Sequence, residues 1–286
     1  MIIWIASYPK SGNTWVRSFL VSLLYNKDPS GNLRNLNLIE QYPNRRVFNE
    51  YSDNLLDLHE VKKFWIATQD KLNKDKKVKF LKTHNSLCNL DNYYFTNTQN
   101  SLGVIYIVRD PRNVITSIKN HYSYEDYKQA EDFIFNQNAI LGVDYKKFND
   151  KNFMDFDIVT PISSWKNHYN SWKMFRKNYL LIKYENLIEN PLLEFRKICN
   201  YLENLLKIKL SNEQINLAIK NSSFEALKNT EEKYGFDEST YNKKKGTKNK
   251  FFFLGPDNNW MKLLNEKTTY QIEKNFKSEM KELGYI

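Results

Sequence analysis

A strand–turn–helix stretch at the start of the chain constrains the fold more than any other part of the sequence. The apolar, β-branched run at residues 2–6 predicts a short buried strand. The turn Pro9-Lys10-Ser11-Gly12 follows, and apolar spacing over residues 14–25 predicts an amphipathic helix. A strand, a glycine turn and a helix N-terminus bring unpaired backbone N–H groups together. This stretch therefore predicts a site for an oxyanion such as phosphate.

The side chains of the turn add to that prediction. Lys10 supplies a cation, while Ser11, Asn13 and Thr14 supply neutral hydrogen-bond donors. The stretch differs from a Walker A loop, because no glycine stands five residues before Gly12 and the lysine precedes this glycine. Taken alone, Lys-Ser-Gly is also compatible with a simple solvated turn, so the hypothesis depends on the rest of the chain.

Composition bounds the class of protein. The 286 residues are enough for one large or two small domains, and a 41% hydrophobic fraction supports a sizeable core. The net charge of +10 favours anionic partners. Two distant cysteines, Cys88 and Cys199, lack metal-ligand spacing and favour a reduced, cytoplasmic protein. We expect neither a signal peptide nor a membrane span, since no apolar run reaches the necessary length.

Further strands and helices alternate along the chain. Apolar runs predict strands at 78–82, 102–108 and 179–184. Helices are predicted at 55–68, 111–122, 161–177, 191–205, 213–221 and 265–283. The alternation predicts one doubly wound, mainly parallel α/β domain.

Ligands of such a sheet bind beyond the carboxyl ends of its strands. Four strand ends should therefore be neighbours, at residues 7–14, 82–84, 109–117 and 184. Together they offer lysines, an arginine, a histidine and several hydroxyls, with Asp110 as the obvious carboxylate. This set of side chains suits the binding of a polyanion, with one histidine available to move a proton.

Arg109 and Ser117 form a second candidate anion site. Arg109 ends a predicted strand, and Ser117 lies two turns along the following helix, which Asp110 should cap. A guanidinium and a hydroxyl so placed can bind one phosphate. The alternative is a surface ion pair between Arg109 and Asp110, with Ser117 packed among helices.

The histidines differ in their context. His84 ends a strand at the expected ligand-binding edge, which makes it a candidate general base. His168, in a tryptophan-rich helix, is expected in or near the core, and His59 and His121 belong to no motif. The sequence contains no cluster of His, Cys or carboxylate residues at metal-ligand spacing, so no metal is expected.

Three motifs occur in the same order as in a known protein family. Tyr8-Pro9-Lys10-Ser11-Gly12-Asn13-Thr14-Trp15 resembles the 5′-phosphosulfate-binding loop of the sulfotransferases that use 3′-phosphoadenosine 5′-phosphosulfate (PAPS). Val108-Arg109-Asp110-Pro111-Arg112-Asn113, continued to Ser117, resembles their 3′-phosphate motif, and Lys82-Thr83-His84 resembles the segment with their catalytic histidine. The resemblance extends over essentially the whole chain, to Met280–Tyr285.

The resemblance implies a P-loop-like three-layer fold for residues 1–286, with a central, mainly parallel sheet flanked by helices. It also implies PAPS as co-substrate, 3′-phosphoadenosine 5′-phosphate (PAP) as product and a metal-independent reaction. His84 would deprotonate the acceptor, and Lys10 and Lys82 would stabilise developing charge. The implied nucleotide-binding residues are Lys10, Ser11, Gly12, Asn13, Thr14 and Trp15 for the 5′ end, Arg109 and Ser117 for the 3′-phosphate, and Tyr184 near the adenine.

Two positions depart from the family pattern. Asn13 stands where many animal members have threonine, and it keeps the capacity to form hydrogen bonds. The C-terminal Arg-Lys-Gly clamp is matched by residue type at Lys244-Lys245-Gly246 and by spacing at Gly255, five residues before Trp260. We favour Gly255, because the family's glycine stands close to a following tryptophan.

Other functions leave different signatures. A P-loop nucleotide kinase would need a Walker A loop and a carboxylate for magnesium. A nucleic-acid-binding module would use the lysine-rich segments 71–79 and 243–250 and would give His84 no role. For the sulfotransferase, aromatic-rich segments 26–51, 85–94 and 122–157 should line the acceptor pocket. We expect a small-molecule or glycan acceptor, no nucleic acid partner, and a monomer or homodimer.

Overall fold

The computed structural model describes residues 1–25, 33–142, 158–242 and 246–286. Lys244 and Lys245, one of the two candidates for the C-terminal clamp, lie outside the described residues. So do residues 26–32 and 143–157 of the segments expected to line the acceptor pocket.

The central sheet confirms the predicted α/β class. The strands of the described chain are β1 (Ile2–Ser7), β2 (Lys79–Thr83), β3 (Asn89–Leu90), β4 (Tyr93–Tyr94), β5 (Ser101–Val108), β6 (Ile140–Leu141), β7 (Thr160–Pro161), β8 (Tyr179–Lys183), β9 (Tyr241–Asn242) and β10 (Thr247–Lys248). Within this part of the chain, four of them form a parallel sheet in the order β2-β1-β5-β8, flanked by helices. All six residues of β1 are buried, as a continuous apolar run requires when helices cover both faces of a sheet.

The register of β1 and β2 fixes which residues meet at the end of each strand. The two strands are parallel, with Ile2 opposite Lys79 and Ala6 opposite Thr83. Ser7 and His84 are the next residues along each strand, so the register sets them beside one another. Neither strand contains glycine or proline to disturb this pairing.

Helices occupy much of the remaining described chain. They are α1 (Asn13–Leu24), α2 (Arg45–Phe48), α3 (Leu58–Val61), α4 (Trp65–Asn73), α5 (Pro111–His121), α6 (Tyr127–Phe135), α7 (Trp165–Lys173), α8 (Tyr184–Glu189), α9 (Pro191–Leu206), α10 (Asn212–Asn221), α11 (Phe224–Tyr234), α12 (Trp260–Leu263), α13 (Glu266–Asn275) and α14 (Lys277–Glu282). Short 3-10 turns span Leu36–Leu38, Lys62–Phe64 and Gly255–Asp257. Among the described helices, none has both the length and the apolar character needed to cross a membrane.

Three of the predicted helices differ from the structure. The helix expected at 55–68 begins three residues later and is interrupted by the 3-10 turn before α4. The helix expected from Pro161 begins only at Trp165, because Pro161 pairs with Ile140 in a short antiparallel ladder and Ser164 caps the helix. The C-terminal helix is divided at Phe276, whose backbone (φ −115°, ψ 20°) departs from helical values.

Several described elements were not predicted, among them two helices and a hairpin. Helix α6 lies in the aromatic-rich segment 122–157, and α11 begins after a Ser223 cap. The segment after α11 contains the antiparallel pair of β9 and β10. Strands β9 and β10 have two residues each, too few for an alternating period to be recognised in the sequence.

The described residues divide into two compact units, each assembled from separate stretches of chain. The first unit comprises Met1–Tyr8, Glu40–Tyr106 and Phe133–Tyr179. The second unit comprises Pro9–Ile39, Ile107–Asp132 and Leu180–Ile286.

The core of the first unit is aromatic. The Trp4 ring lies 5.4 Å from Tyr42 and 5.3 Å from Phe95, measured between ring centroids. Its indole Nε1 donates to Ser101 Oγ at 2.7 Å, so the only polar atom of this buried side chain is satisfied. Trp172 completes the cluster and donates to the carbonyl of Asn85 at 2.9 Å, which ties α7 to the chain just after His84.

The second unit is built around α1. Its Phe19 ring stacks on Phe195 of α9 at 4.1 Å, and Ser22 accepts a hydrogen bond from Asn221 of α10 at 3.1 Å. These contacts bury one face of α1 and thereby hold the turn that precedes it. Aromatic stacking of this kind contributes about 1 kcal/mol beyond the burial of apolar area.

The C-terminus of the chain is fixed onto the start of α5. The Glu185 carboxylate accepts from the backbone N–H of Asp110 and from the hydroxyl of Tyr285, both at 2.9 Å. Arg112 donates to the carbonyl of Tyr285 at 2.7 Å and pairs with the Asp110 carboxylate at 2.7 Å. Burial raises the pKa of both Glu185 and Tyr285. This network holds in place the backbone that immediately follows Arg109.

Candidate functional site

The turn before α1 has the backbone that its sequence predicts. Gly12 (φ 102°, ψ 13°) occupies the N-cap position of α1, and its carbonyl accepts from the N–H groups of Trp15 and Val16. Lys10 also has a positive φ, at 63°. Helix α1 begins at Asn13, one residue before the predicted start. Since the first N–H groups of a helix lack partners within it, the turn presents donors suited to an anion.

Tyr184 packs directly on this turn. A Cβ atom built on Gly12 would lie 2.5 Å from Cδ2 of the Tyr184 ring. The same ring makes an edge contact with Trp15 at 5.7 Å, and the guanidinium carbon of Arg109 lies 4.1 Å from its centroid. Arg109 also donates from Nη1 to the carbonyl of Lys10 at 3.0 Å. Five of the predicted nucleotide-binding residues are therefore brought together in the second unit.

Two buried hydrogen-bond donors, one in the turn and one in the first residues of α1, lack a partner among the described residues. They are the hydroxyl of Ser11, which is 1% exposed, and the indole Nε1 of Trp15. Burying a polar group without a partner costs about 1–3 kcal/mol, so native proteins rarely leave one unpaired. Unpaired donors beside a lysine and a glycine turn fit a site that an anionic ligand completes.

Lys10 and Thr14 have partners that the sequence did not predict. The Lys10 ammonium lies 3.7 Å from the centroid of the Phe251 ring and 3.4 Å from Nδ1 of His121. The Thr14 hydroxyl donates to Oε2 of Glu238 at 3.0 Å. The partners Phe251 and Glu238 come from a polar segment without a clear period, so no sequence signal pointed to them.

The remaining predicted nucleotide residues lie on elements that contact one another. Ser117 is half-buried on α5. Gly255 (φ 52°) begins a 3-10 turn and packs so closely on Phe224 that a Cβ atom would approach its ring to 2.2 Å. Three residues after Gly255, Asn258 accepts from Thr116 at 2.6 Å, which joins this turn to the helix of Ser117.

The alternative interpretation of the second anion motif assigned Asp110 to Arg109. In the structure, the Asp110 carboxylate caps α5 through the N–H of Arg112 at 2.9 Å and forms a buried ion pair with the Arg112 guanidinium. The predicted cap is confirmed. Arg109 instead contacts Tyr184 and the carbonyl of Lys10.

The first unit orients the candidate base. His84 is 8% exposed, and its Nδ1 lies 2.7 Å from the carbonyl oxygen of Ser7. Because a carbonyl oxygen only accepts hydrogen bonds, Nδ1 carries the proton and donates. In the neutral ring the lone pair is then on Nε2. Lys82, two residues earlier on β2, is also buried, at 7% exposure.

His168 holds the backbone of His84. Its Nε2 lies 3.1 Å from the His84 carbonyl and therefore donates, while its Nδ1 accepts from the Tyr106 hydroxyl at 2.8 Å. Complete burial lowers the pKa of His168 to about 3, so the ring is neutral and keeps this tautomer. The prediction that His168 belongs to the core is confirmed.

No group of three or more His, Cys, Asp or Glu side chains in the described ranges could hold a metal ion.

The sequence matches known proteins along nearly its whole length. The family model of the sulfotransferase domain matches residues 2–284. Sulfotransferase 2A1 of Macaca fascicularis is 24% identical over an alignment of 236 residues, and the match covers 78% of this chain and 65% of the relative. Sulfotransferase 1B1 of Canis lupus familiaris is 27% identical over an alignment of 228 residues, and the match covers 79% of this chain and 66% of the relative. The chain thus spans just under two thirds of the length of these relatives.

Solved structures share the fold. Retinol dehydratase in complex with androsterone and the inactive cofactor PAP superposes with a TM-score of 0.61 at 19% identity, covering 98% of this chain and 80% of that one. Mouse sulfotransferase SULT7A1 in complex with PAP gives a TM-score of 0.59 at 18% identity, covering 98% and 84%.

The burial of His168 predicts a pH dependence of stability. Its pKa is about 3 when folded, against an ordinary value of 6.5. Between these values the unfolded chain binds a proton that the folded chain excludes, so the free energy of unfolding falls as the pH is lowered through this window. The slope due to this residue is about 1.4 kcal/mol per pH unit. Urea unfolding between pH 6 and pH 4 should give a slope that is steeper by this amount in the wild type than in His168→Gln. The exposed His59→Gln is the control, and an equal slope in all three proteins would contradict the assignment.

The contact between Gly12 and Tyr184 predicts an unequal effect of two glycine substitutions. Gly284 has a positive φ of 68° and nothing within 4 Å of an added Cβ, whereas Gly12 would meet the Tyr184 ring. Gly284→Ala should cost about 1 kcal/mol of backbone strain. Gly12→Ala should cost about 1–3 kcal/mol more, because the ring must shift. Thermal unfolding measures the stability of both variants. Equal losses of stability would show that the Tyr184 ring moves aside without strain.

Proposed function

Because the chain belongs to the sulfotransferase-domain family, we propose that residues 1–286 act as one PAPS-dependent sulfotransferase domain. The reaction transfers the sulfuryl group of PAPS to a hydroxyl or amine acceptor. One observation carries the proposal: near Lys10, the buried hydroxyl of Ser11 and the indole N–H of Trp15 have no hydrogen-bond partner among the described residues. Two proteins with the same fold were solved with PAP, which supports this nucleotide as the ligand.

We assign the 5′-phosphosulfate end of PAPS to the turn and the first residues of α1, which are Lys10, Ser11, Gly12, Asn13, Thr14 and Trp15. Arg109 and Ser117 are assigned to the 3′-phosphate, and Tyr184 to the neighbourhood of the adenine. The packing of Tyr184 on Gly12 and Arg109 supports a common ligand for these residues. Gly255 is assigned to the C-terminal clamp, since its turn is joined to the helix that carries Ser117.

His84 is the proposed general base. With Nδ1 donating to the carbonyl of Ser7, its Nε2 can take the proton of the acceptor hydroxyl. The acceptor oxygen then forms a bond to sulfur, the bond between sulfur and the bridging phosphate oxygen breaks, and that oxygen leaves as part of PAP. His168 and the carbonyl of Ser7 fix the orientation of His84, so the proton is accepted at a defined atom.

The two lysines are proposed to stabilise charge. As the sulfur–oxygen bond breaks, negative charge grows on the bridging oxygen and on the transferred sulfuryl group. Ammonium groups placed beforehand at these atoms lower the barrier without reorganisation of solvent. Lys82 is buried. Lys10 belongs to residues 10–15, which comprise the turn before α1 and the first residues of that helix and which we call the donor turn. We therefore assign Lys10 and Lys82 to this role.

The acceptor is proposed to be a small molecule or a glycan. Neighbours with this fold were solved with androsterone or retinol, which supports a compact hydroxyl compound. Cys88 and Cys199 form no disulfide, and burial raises the pKa of the Cys88 thiol to about 11, which makes it a poor nucleophile. Two unpaired thiols are compatible with the reducing cytoplasm in which we place the protein.

The function is tested with radiolabelled PAPS and a panel of a phenol, a hydroxysteroid, retinol, an aryl amine and a sugar. Transfer of label to a panel member without added metal supports the proposal. Calorimetry with PAP is run in parallel, with ATP and magnesium as the ligand expected of a nucleotide kinase. Binding of ATP with magnesium in preference to PAP, together with no labelled product, would overturn the sulfotransferase proposal.

His84→Asn should abolish transfer while leaving nucleotide binding intact. Asparagine keeps a donor close to the position of Nδ1 but has no basic nitrogen, so the loss isolates proton transfer. We expect kcat with the best acceptor of the panel to fall by about a hundredfold or more. His59→Asn, on the exposed side of α3, serves as the control. Unchanged turnover in His84→Asn would remove this residue from the mechanism.

Arg109→Gln should weaken binding of PAP more than binding of AMP, which lacks the 3′-phosphate. Loss of a charge-assisted hydrogen bond predicts an increase of about tenfold to hundredfold in the Kd of PAP. Because the substitution also removes the bond to the Lys10 carbonyl, the ratio of the two Kd values is the diagnostic quantity. Calorimetry that gave the same ratio for wild type and variant would show that Arg109 does not bind the 3′-phosphate.

A further inference from the structure

A segment that follows α11 engages two side chains of the donor turn. We define the strap as residues 236–242 and 246–252. Its Glu238 accepts from the Thr14 hydroxyl at 3.0 Å through Oε2 and from Arg17 Nη1 at 2.6 Å through Oε1. Its Phe251 ring lies 3.7 Å from the Lys10 ammonium. Lys10 and Thr14, both assigned to the phosphosulfate, are thus in contact with the strap.

The strap is held by hydrogen bonds to the end of α5 and the residues after it, and by hydrogen bonds to α11. Thr240 donates to the carbonyl of His121 at the end of α5, and Asn249 donates to Ser123 Oγ at 2.7 Å. On the other side, the Glu231 carboxylate of α11 accepts from the N–H groups of Phe251 at 2.7 Å and Phe252 at 2.9 Å. The position of Glu238 beside Thr14 is therefore built into the folded second unit.

Hydrogen-bond stoichiometry makes the contact between Glu238 and Thr14 exclusive. A threonine hydroxyl has one proton to donate. While that proton is donated to Glu238, it cannot be donated to a phosphate oxygen. A carboxylate and a phosphosulfate also carry the same sign of charge, so their close approach is unfavourable.

Arg17 explains why the carboxylate is placed there. The Arg17 side chain is 4% exposed, and its Nη2 donates to the carbonyls of Leu36 at 3.0 Å and Ile39 at 3.1 Å. A buried guanidinium needs a counter-ion, and Glu238 supplies it. The two carboxylate oxygens have different partners, so Oε2 can leave Thr14 while Oε1 stays on Arg17.

Building on the proposed function, we infer that Glu238 lowers the affinity of the protein for the nucleotide. Its carboxylate holds the Thr14 hydroxyl in the nucleotide-free protein, and the 5′-phosphate of the nucleotide takes its place. Arg17 retains the displaced carboxylate through Nη1. Glu238 is thus an internal competitor for the nucleotide, and nucleotide binding breaks one of the contacts that hold the strap to the turn.

The test is calorimetric titration of PAP into Glu238→Gln. Removing the charge and weakening the hydrogen bond should lower the Kd of PAP by roughly fivefold. Glu232→Gln is the matched control, because it removes the same charge from α11, where the carboxylate pairs with Lys250 at 3.0 Å. Its Kd should stay within about twofold of wild type, since an exposed charge is screened by salt. In a Thr14→Val background, the gain in affinity from Glu238→Gln should shrink to the part that comes from removal of the charge.

A second variant covers the case in which Arg17 without a counter-ion prevents folding. Glu238→Asp keeps the charge for Arg17 but withdraws the carboxylate from Thr14, and it should also tighten PAP binding. If wild type binds PAP and neither variant binds it more tightly, the inference is overturned and the proposed function stands. If neither wild type nor variants bind PAP, the proposed function falls and the inference with it.

Discussion

The packing of the Tyr184 ring on Gly12 is the constraint on which the donor turn depends. A side chain on residue 12 would occupy the space of the ring, and its φ of 102° is one that other residues rarely adopt. With glycine there, the ring closes on the turn and provides a face on which Arg109 stacks. Arg109 in turn bonds the carbonyl of Lys10. The lack of a Cβ atom on Gly12 thus allows the contacts that bring the predicted nucleotide-binding residues together.

Two buried histidines perform a comparable task in the first unit. When a carbonyl oxygen forms a hydrogen bond with one ring nitrogen, that nitrogen carries the proton, because a carbonyl oxygen can only accept a hydrogen bond. His84 and His168 are both fixed in this way, with Tyr106 as the donor at the far end. Burial keeps His168 neutral, since a charged ring there would lose its solvation without gaining a counter-ion. The proposed base is consequently oriented by groups that do not titrate near neutral pH.

Local charge in the second unit differs from the charge of the whole chain. The net charge of +10 suggested a surface suited to anions, yet the donor turn is in contact with the carboxylate of Glu238 and the ring of Phe251. These contacts give the Thr14 hydroxyl and the Lys10 ammonium partners within the protein. Pairing of this kind stabilises an anion site without its ligand. The proposed nucleotide would have to displace the same contacts in order to bind.

The sequence by itself determined the class of fold, the strand–turn–helix at the start, the cap at Asp110 and the identity of the three motifs. These features are local: an apolar period, a glycine beside a lysine and a proline after an aspartate each act within a few residues of chain. Helix boundaries near Pro161 and Phe276 were predicted wrongly, because a short strand pairing and a backbone departure from helical values overrode the local pattern. Only the tertiary structure decided that Gly12 meets Tyr184, that His168 holds the backbone of His84, and that Glu238 reaches Thr14. Those partners are 172, 84 and 224 residues apart in sequence, and such contacts arise from packing, which no local pattern encodes.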